Sequence, residues 1–377
     1  MGRSWCAAWP TGDPVSLSAI ERVDVRVAQY PLPRPLGTAI HAMRSVGVVV
    51  VDVVTADGVR GQGFLFALNA DRIRSFAEAV DGLSRYYVGR RPTESSRCWD
   101  DVWSALNPSG HKGIGISALS ALDVSCWDAV GRGLGVSLAD LWGRCRTSVP
   151  AYASSGLWLS DDLEAIAAEA ASFVEQGFRA VKLRVGSARA EDDVARAAAV
   201  RSAIGPEVAL HVDANQGFTP KQAIRLGRLL DEFDIAWFEE PVVTHDLRGA
   251  GEARSGLPMP VATGETEFTR FGMADLVDAG AADVLMPDLQ RIGGYTEFRR
   301  ADAFAMARDI PTSSHFFTEH SLVLAGSLPN CGLVEHVDWF APLFVEAMEL
   351  VDGELVVPTR PGSGFTIDDG FVDAHLV

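Results

Sequence analysis

The sequence predicts an α/β protein, a modified TIM (β/α) barrel preceded by a smaller α+β unit, and three observations carry that prediction. Short apolar runs alternate with helix-length segments through the second half of the chain. Charged residues stand at the ends of those runs, about one β/α unit apart. The first 140 or so residues lack this alternation and read as a sheet followed by helices.

In chain order, residues 1–17 contain Pro, Gly and Ser without hydrophobic period and read as a loose leader. Strand character begins at Val23. The run Val48, Val49, Val50, Val51, Asp52, Val53, Val54, followed by Asp57-Gly58, reads as a strand entering a hairpin. After Arg72 the pattern becomes helical, and Ile116, Leu119, Leu122, Cys126 and Val130 form one apolar helix face. From Val149 eight strand candidates follow, at 149–154, 180–185, 208–213, 236–239, 260–263, 283–287, 311–314 and 333–337. Eight such units fit a barrel at the short end of its usual size. Apolar residues around Asp352-Gly353 form a last hairpin, expected to return to the first unit. The division is therefore 1–17 leader, 18–140 α+β unit, 141–348 barrel and 349–377 returning segment.

A chain of 377 residues with 47% hydrophobic composition can bury a large core in one elaborate domain or two coupled ones. Its net charge of -17 opposes nucleic acid and anionic membrane as partners, so an anionic substrate must be attracted locally. No run of 18 apolar residues occurs, and Met1 to Cys6 lack the pattern of a secretory signal, so a cytoplasmic protein is expected. The five cysteines are scattered without metal-type spacing and read as reduced thiols.

The chemistry lies at the strand ends, which carry Lys182 and Arg184, Asp213, Glu239, Glu265, Asp288, His315 and Glu335. From Lys182 to His315 the gaps are 31, 26, 26, 23 and 27 residues, which aims one charged group per unit at the barrel mouth where such folds place their sites. Asp213, Glu239 and Glu265 on successive strands would repel one another as bare anions, and an all-oxygen set suits Mg²⁺, with Mn²⁺ as the alternative. The plain alternative is three separately solvated acids. Lys182 and Arg184, two apart on a strand, point to the same side. Near a cation the Lys182 pKa is expected to fall, which makes it an acid/base or carboxylate-binding group, unless it is an interior ion-pair partner of the acids. Asp288 can hold one ring nitrogen of His315 and leave the other free as a base. His211 and His245 have no comparable context. Glu335 is placed to share a proton with a substrate oxygen or to form an ion pair. Gly293-Gly294 lacks phosphate-loop spacing and reads as a tight turn.

Val181-Lys182-Leu183-Arg184, Val212-Asp213-Ala214-Asn215-Gln216, Phe238-Glu239-Glu240-Pro241, Gly264-Glu265, Met286-Pro287-Asp288 with Ile292-Gly293-Gly294, and Ser313-Ser314-His315 together resemble the mandelate racemase branch of the enolase superfamily. The likeness extends from about residue 20, through Gly61 to Ala67 and Cys126-Trp127-Asp128, and includes His245-Asp246. The resemblance implies an N-terminal capping domain whose mobile loops, around residues 32–44 and 64–70, close over the barrel. It implies Asp213, Glu239 and Glu265 as Mg²⁺ ligands, Asp288 and His315 as a general-base dyad, and Glu335 as a donor to the substrate carboxylate. Lys182 would neutralise that carboxylate, and Ser154 and Asn215 match positions touching it or the metal shell. His41, Arg44 and Phe66 are specificity candidates by location alone. The family implies a homo-oligomer.

Arg184 departs from the pattern, which has a second lysine there as the base of the opposite face. Arginine is a poor proton acceptor, so the resemblance favours a reaction needing one good base, the dehydration of an acid sugar to a 2-keto-3-deoxy acid through an enediolate. The alternatives are a racemase or epimerase of a 2-hydroxy acid, a cycloisomerase, although the muconate-lactonizing kind carries a lysine in place of the His315 dyad, and a non-catalytic anion-binding barrel.

Overall fold

The computed structural model describes residues 17–38, 42–160 and 162–377. The chain opens with a three-stranded antiparallel sheet, β1 (Ile20–Gly37), β2 (Ala42–Thr55) and β3 (Arg60–Leu68). The valine run of β2 shows why it is a strand. Val49, Val51 and Val53 face a core shared with Leu65 and the following helices, while Val46, Val48 and Val50 join Phe64 and Phe66 in the core continuous with the barrel. Successive strand side chains point to opposite faces, so a sheet buried on both faces needs an unbroken apolar run.

Three helices cover the outer face: α1 (Ile73–Ser84), α2 (Ser95–Leu106) and α3 (Ile114–Leu134). Helix α3 is apolar and long enough to cross a bilayer by length and composition, but 83% of its most apolar stretch is buried inside the fold. It lies directly on β3 because Gly61 and Gly63 leave room. A Cβ on Gly61 would stand 2.1 Å from the Ser125 carbonyl and 2.4 Å from the Ala129 amide. The short α4 (Leu138–Leu141) leads into the barrel.

The barrel comprises β4 (Ser148–Ala153), α5 (Leu163–Glu175), β5 (Ala180–Arg184), α6 (Ala190–Ile204), β6 (Ala209–Asp213), α7 (Pro220–Leu230), β7 (Ile235–Glu239), α8 (Leu247–Gly256), β8 (Val261–Thr263) and α9 (Thr269–Asp278). It continues through β9 (Val284–Leu285), α10 (Leu289–Ile292), α11 (Gly294–Met306), β10 (Thr312–Ser314), α12 (Thr318–Ser327) and β11 (Cys331–His336). Parallel pairing of β11 with β4, Val334 opposite Ala151, closes the eight strands. Its interior is packed with Tyr152, Trp237 and Met286. His211 stacks on Trp237 at 3.8 Å, and both its ring nitrogens are buried without a hydrogen-bond partner among the described residues.

The last hairpin, β12 (Leu350–Val351) and β13 (Glu354–Val356), departs from the expectation. It does not return to the first sheet but pairs antiparallel with residues 148–150 of β4. That end of β4 lies outside its ladder with β11, which engages residues 151–153, and so offers free backbone groups to a further strand. The chain after the hairpin does reach the N-terminal unit. Gly362 exchanges backbone hydrogen bonds with Val136 and Leu138, and α13 (Asp369–Ala374) brings Asp369 to Arg26 and Arg60, each at 2.7 Å. The two regions expected as mobile loops are largely strand: 32–37 belong to β1, 42–44 to β2 and 64–68 to β3, while His41 lies outside the described residues.

Candidate active site

Asp213 ends β6, Glu239 ends β7 and Glu265 follows β8, so three neighbouring strands deliver their carboxylates to one point. Gly264, with φ +126°, makes the turn that aims the third. All three are buried, and one oxygen of each lies within 4.8 Å of the others. Burial pushes Glu239 well above the carboxylate range, with Asp213 and Glu265 adding to it against Lys182. Glu265 Oε2 is buried without a hydrogen-bond partner among the described residues. Three converging carboxylates, an all-oxygen set, fit a hard divalent cation.

Lys182 is the hub beside this triad. Its Nζ lies 2.6 Å from Glu239 Oε1, 2.8 Å from Glu335 Oε1 and 3.3 Å from Asp213 Oδ2. The protein's own charges set its pKa in opposing directions. Burial pulls it down, but Glu239 and Glu335 outweigh burial and hold it above the ordinary lysine value.

His315 follows β10 and forms a backbone bridge with Asp288. Its Nδ1 is 2.8 Å from Asp288 Oδ2, and its Nε2 is 3.3 Å from Glu265 Oε2. Burial lowers its pKa, but the Glu265 charge and the Asp288 hydrogen bond prevail and raise it. Asp288 also accepts from the Arg291 amide at 2.8 Å, which fixes the carboxylate in turn. Strand β9 has only two residues, so Asp288 sits at the start of α10 rather than on an extended strand.

Within the protein, Glu335 is engaged as an acceptor. Its Oε1 accepts from Lys182 and, at 2.6 Å, from Ser154 Oγ, while Oε2 accepts from the Phe316 amide at 2.8 Å. Burial would raise its pKa, but Lys182, His315 and Arg184 hold it below the usual carboxylate range. Ser154 is equally occupied, donating to Glu335 and accepting from Arg184 Nη2 at 3.1 Å, and it does not line the cavity. Asn215 does line it, with its amide and Nδ2 bonded to Asp213 and its Oδ1 without a partner among the described residues.

The cavity above these groups holds about 560 Å³ of empty space. The barrel contributes Lys182, Arg184, Asp213, Glu265 and His315, and the N-terminal sheet contributes Thr38, Met43 and Leu68. Arg44 is not among the lining residues, and Phe66 lines a neighbouring pocket instead. Sequence reasoning passed over Trp158, Gln216, Thr266, Arg291, Phe316 and Trp339, all of which line the cavity. Glu240 also lines it. Its carboxylate accepts from Gln216 at 2.8 Å and from Thr266 at 3.0 Å. Only Gln216 and Glu240 carried a signal, since both stand beside the acids in the quoted motifs.

Two family models cover most of the chain: "Mandelate racemase / muconate lactonizing enzyme, N-terminal domain" over residues 22–143, and "Enolase C-terminal domain-like" over 165–371. The chain belongs to the mandelate racemase/muconate lactonizing enzyme family of the enolase superfamily. Among members of this family, it is 31% identical to L-talarate/galactarate dehydratase of Salmonella typhimurium, covering 93% of this chain and 89% of that one. It is 32% identical to D-galactarolactone cycloisomerase of Agrobacterium fabrum, covering 93% and 96%. The crystal structure of the Salmonella typhimurium dehydratase liganded with Mg and L-lyxarohydroxamate superposes with a TM-score of 0.92, at 28% identity and 100% and 98% coverage.

Proposed function

We propose that this protein is a Mg²⁺-dependent enzyme that removes the proton α to the carboxylate of an acid sugar and eliminates water to give a 2-keto-3-deoxy acid. One observation carries the reading: His315, held by Asp288, opens on the same cavity as Asp213 and Glu265 of the Asp213–Glu239–Glu265 cluster, with its Nε2 3.3 Å from Glu265. A Mg²⁺ ion held by the three acids, or Mn²⁺ in its place, would supply positive charge where the deprotonated carboxylate becomes a dianion.

The chain's own groups do the rest. Asp288 accepts a hydrogen bond from Nδ1–H and so fixes the tautomer, leaving the Nε2 lone pair to receive the α-proton. The imidazolium can return a proton to the departing β-hydroxyl, which leaves as water, and the enol then tautomerises to the ketone. Lys182 and Arg184 hold positive charge beside the acids, and Asn215 presents an unengaged Oδ1 to the cavity. Support comes from the similarity to sugar-acid dehydratases, including arabinonate dehydratase.

A second reading, isomerisation of a sugar-acid lactone, is favoured by the likeness to the galactarolactone cycloisomerase. It begins with the same proton abstraction. A cytoplasmic location and a homo-oligomeric state belong to the proposal as well, and light scattering reads the second.

The test is incubation with Mg²⁺ and aldonic and aldaric acids and their lactones in D₂O, followed by NMR. A 2-keto-3-deoxy product establishes dehydration, and ring opening without loss of water establishes the second reading. Deuterium at C2 with neither points to a racemase or epimerase, and no exchange with any acid returns the protein to an anion binder. His315→Asn should keep Mg²⁺ affinity and lose about 10²- to 10⁴-fold in turnover; near-normal turnover of the folded variant refutes the assignment of the base.

A further inference from the structure

Arg184 stands where the family pattern has a base, yet an arginine in a protein keeps its proton, so its work must be that of a fixed cation. Its surroundings show how it is fixed. The guanidinium carbon lies 4.3 Å over the face of Trp158, Nη2 donates to Ser154 Oγ at 3.1 Å, and Nε is 3.4 Å from Asp213 Oδ2. Nη1 has no hydrogen-bond partner among the described residues, although the side chain is almost wholly buried and lines the cavity. A buried donor left bare is costly unless something from outside takes it. Lys182, by contrast, already has three carboxylates around it.

Trp158 is itself held in place. Its ring stacks on Trp339 at 5.8 Å and 25°, and Trp339 packs on Phe316, the residue after His315, at 5.2 Å. The aromatic row thus runs along the cavity wall from the Arg184 side to the His315 side. Around the closed barrel, Arg184 on β5 and His315 after β10 are separated by β4 and β11. The two groups therefore approach a bound molecule from different sides.

We propose that Arg184 is a carboxylate anchor of this site and that Trp158 is its positioning residue, the indole face holding the guanidinium so that Nη1 meets a substrate carboxylate. The proposal deepens, and rests on, the reading of the cavity as the site of an acid substrate. Cation–π contact across a desolvated face and a planar fork of donors make the pair selective for arginine, because a lysine would present a point charge without the stacking plane.

The test is calorimetric titration of Mg²⁺-loaded protein with two unreactive acids, tartronate and glycolate, for wild type, Trp158→Leu, Trp158→Phe, Arg184→Met and the Trp158→Leu/Arg184→Met double variant. Arg184→Met should weaken tartronate binding by about 10- to 100-fold, the range of a hydrogen bond to a charged group. Trp158→Leu should weaken it by about 10-fold and Trp158→Phe by less than about threefold, because phenylalanine keeps a π face. The double variant should bind no worse than Arg184→Met. An equal loss with glycolate places the anchor on the reacting carboxylate, and a loss confined to tartronate places it on a second one. Mg²⁺ binding no weaker than wild type across the set shows that the fold and the metal site persist, Arg184→Met being free to bind it more tightly because a cation 3.4 Å from Asp213 is gone.

The proposal fails if Arg184→Met binds both acids like wild type, or if Trp158→Leu costs as much without Arg184 as with it. Wild-type exchange of α-protons is read separately. Its absence overturns the catalytic reading, while the binding cycle still decides the anchor.

Discussion

Replacing Lys182 by Met tests the charge balance of the site most directly. The substitution keeps the apolar stem and removes an ammonium lying 2.6, 2.8 and 3.3 Å from three buried carboxylates. Breaking a buried ion pair from one side costs about 3–5 kcal/mol, because the partner stays behind uncompensated. Against a global stability of about 5–15 kcal/mol that is about a fifth or more of the total. With a urea slope of about 3 kcal/mol/M, the metal-free midpoint should fall by about 1–1.7 M. A divalent cation neutralises the same oxygens that the ammonium does, so lysine and metal compete. Mg²⁺ at 100 times its dissociation constant stabilises any protein that binds it only when folded by about 2.7 kcal/mol. At one fixed Mg²⁺ concentration the variant, with its tighter site, should gain more than wild type. The assay is urea denaturation followed by circular dichroism, in EDTA and in Mg²⁺. A metal-free loss below about 1 kcal/mol, or an equal Mg²⁺ increment in both proteins, would refute the reasoning.

Three further outcomes are expected. Burial pushes the Glu319 carboxyl up to about 8, so the folded state holds a proton that the unfolded chain, with its glutamates near about 4.3, releases. This contribution is complete below the unfolded value and is lost as pH rises through the folded one, so Glu319→Gln should flatten the stability-against-pH curve between about 4.3 and 8, by on the order of a few kcal/mol; an unchanged slope counts against a protonated Glu319. Gly61→Ala should destabilise the N-terminal unit by about 1–3 kcal/mol or more, since its Cβ would meet backbone atoms that cannot give way, and a thermal midpoint equal to wild type would contradict that packing. Asp128 accepts from the Gln62 and Ser363 amides at 2.9 and 2.7 Å and pairs with Arg132 at 2.5 Å. Asp128→Ala should therefore cost about 3–5 kcal/mol and speed proteolysis of the C-terminal segment, while a digestion rate like wild type would show that the segment is held otherwise.

Much of the architecture was legible because it is written in local periods. The eight strands and the charged residue at each strand end follow from repeat spacing, and closure of the barrel then brings Asp213, Glu239 and Glu265 together without further information. The valine run of β2 and the face of α3 were equally plain. Partners that meet only across the closed structure were not legible. Nothing local to Trp158 marks it as the surface under Arg184, and nothing in Glu335 reveals that Lys182, Ser154 and the Phe316 amide will occupy its oxygens. The last hairpin was misplaced for the same reason. Its alternation identifies a strand, but which strand has free backbone groups depends on where β4 enters its ladder.

The Gly293-Gly294 turn, expected only as a connector, has φ values of +101° and +87° and lies against two helices of the N-terminal unit. The Gly293 carbonyl accepts from Trp99 at 2.8 Å, a Cβ on Gly294 would stand 2.7 Å from Asp123, and Asp123 bonds the Thr296 amide at 2.8 Å. The Gln290 side chain meanwhile grips the Phe66 peptide by its amide and its carbonyl. The loop that carries Asp288 is thus clamped on both sides by residues of another folding unit. A chimera that transplanted only the barrel, or only the N-terminal unit, would separate the carboxylate orienting the histidine from its mould. Recombination that preserves activity in this fold should therefore exchange α2, α3 and residues 288–296 together, as one inherited block.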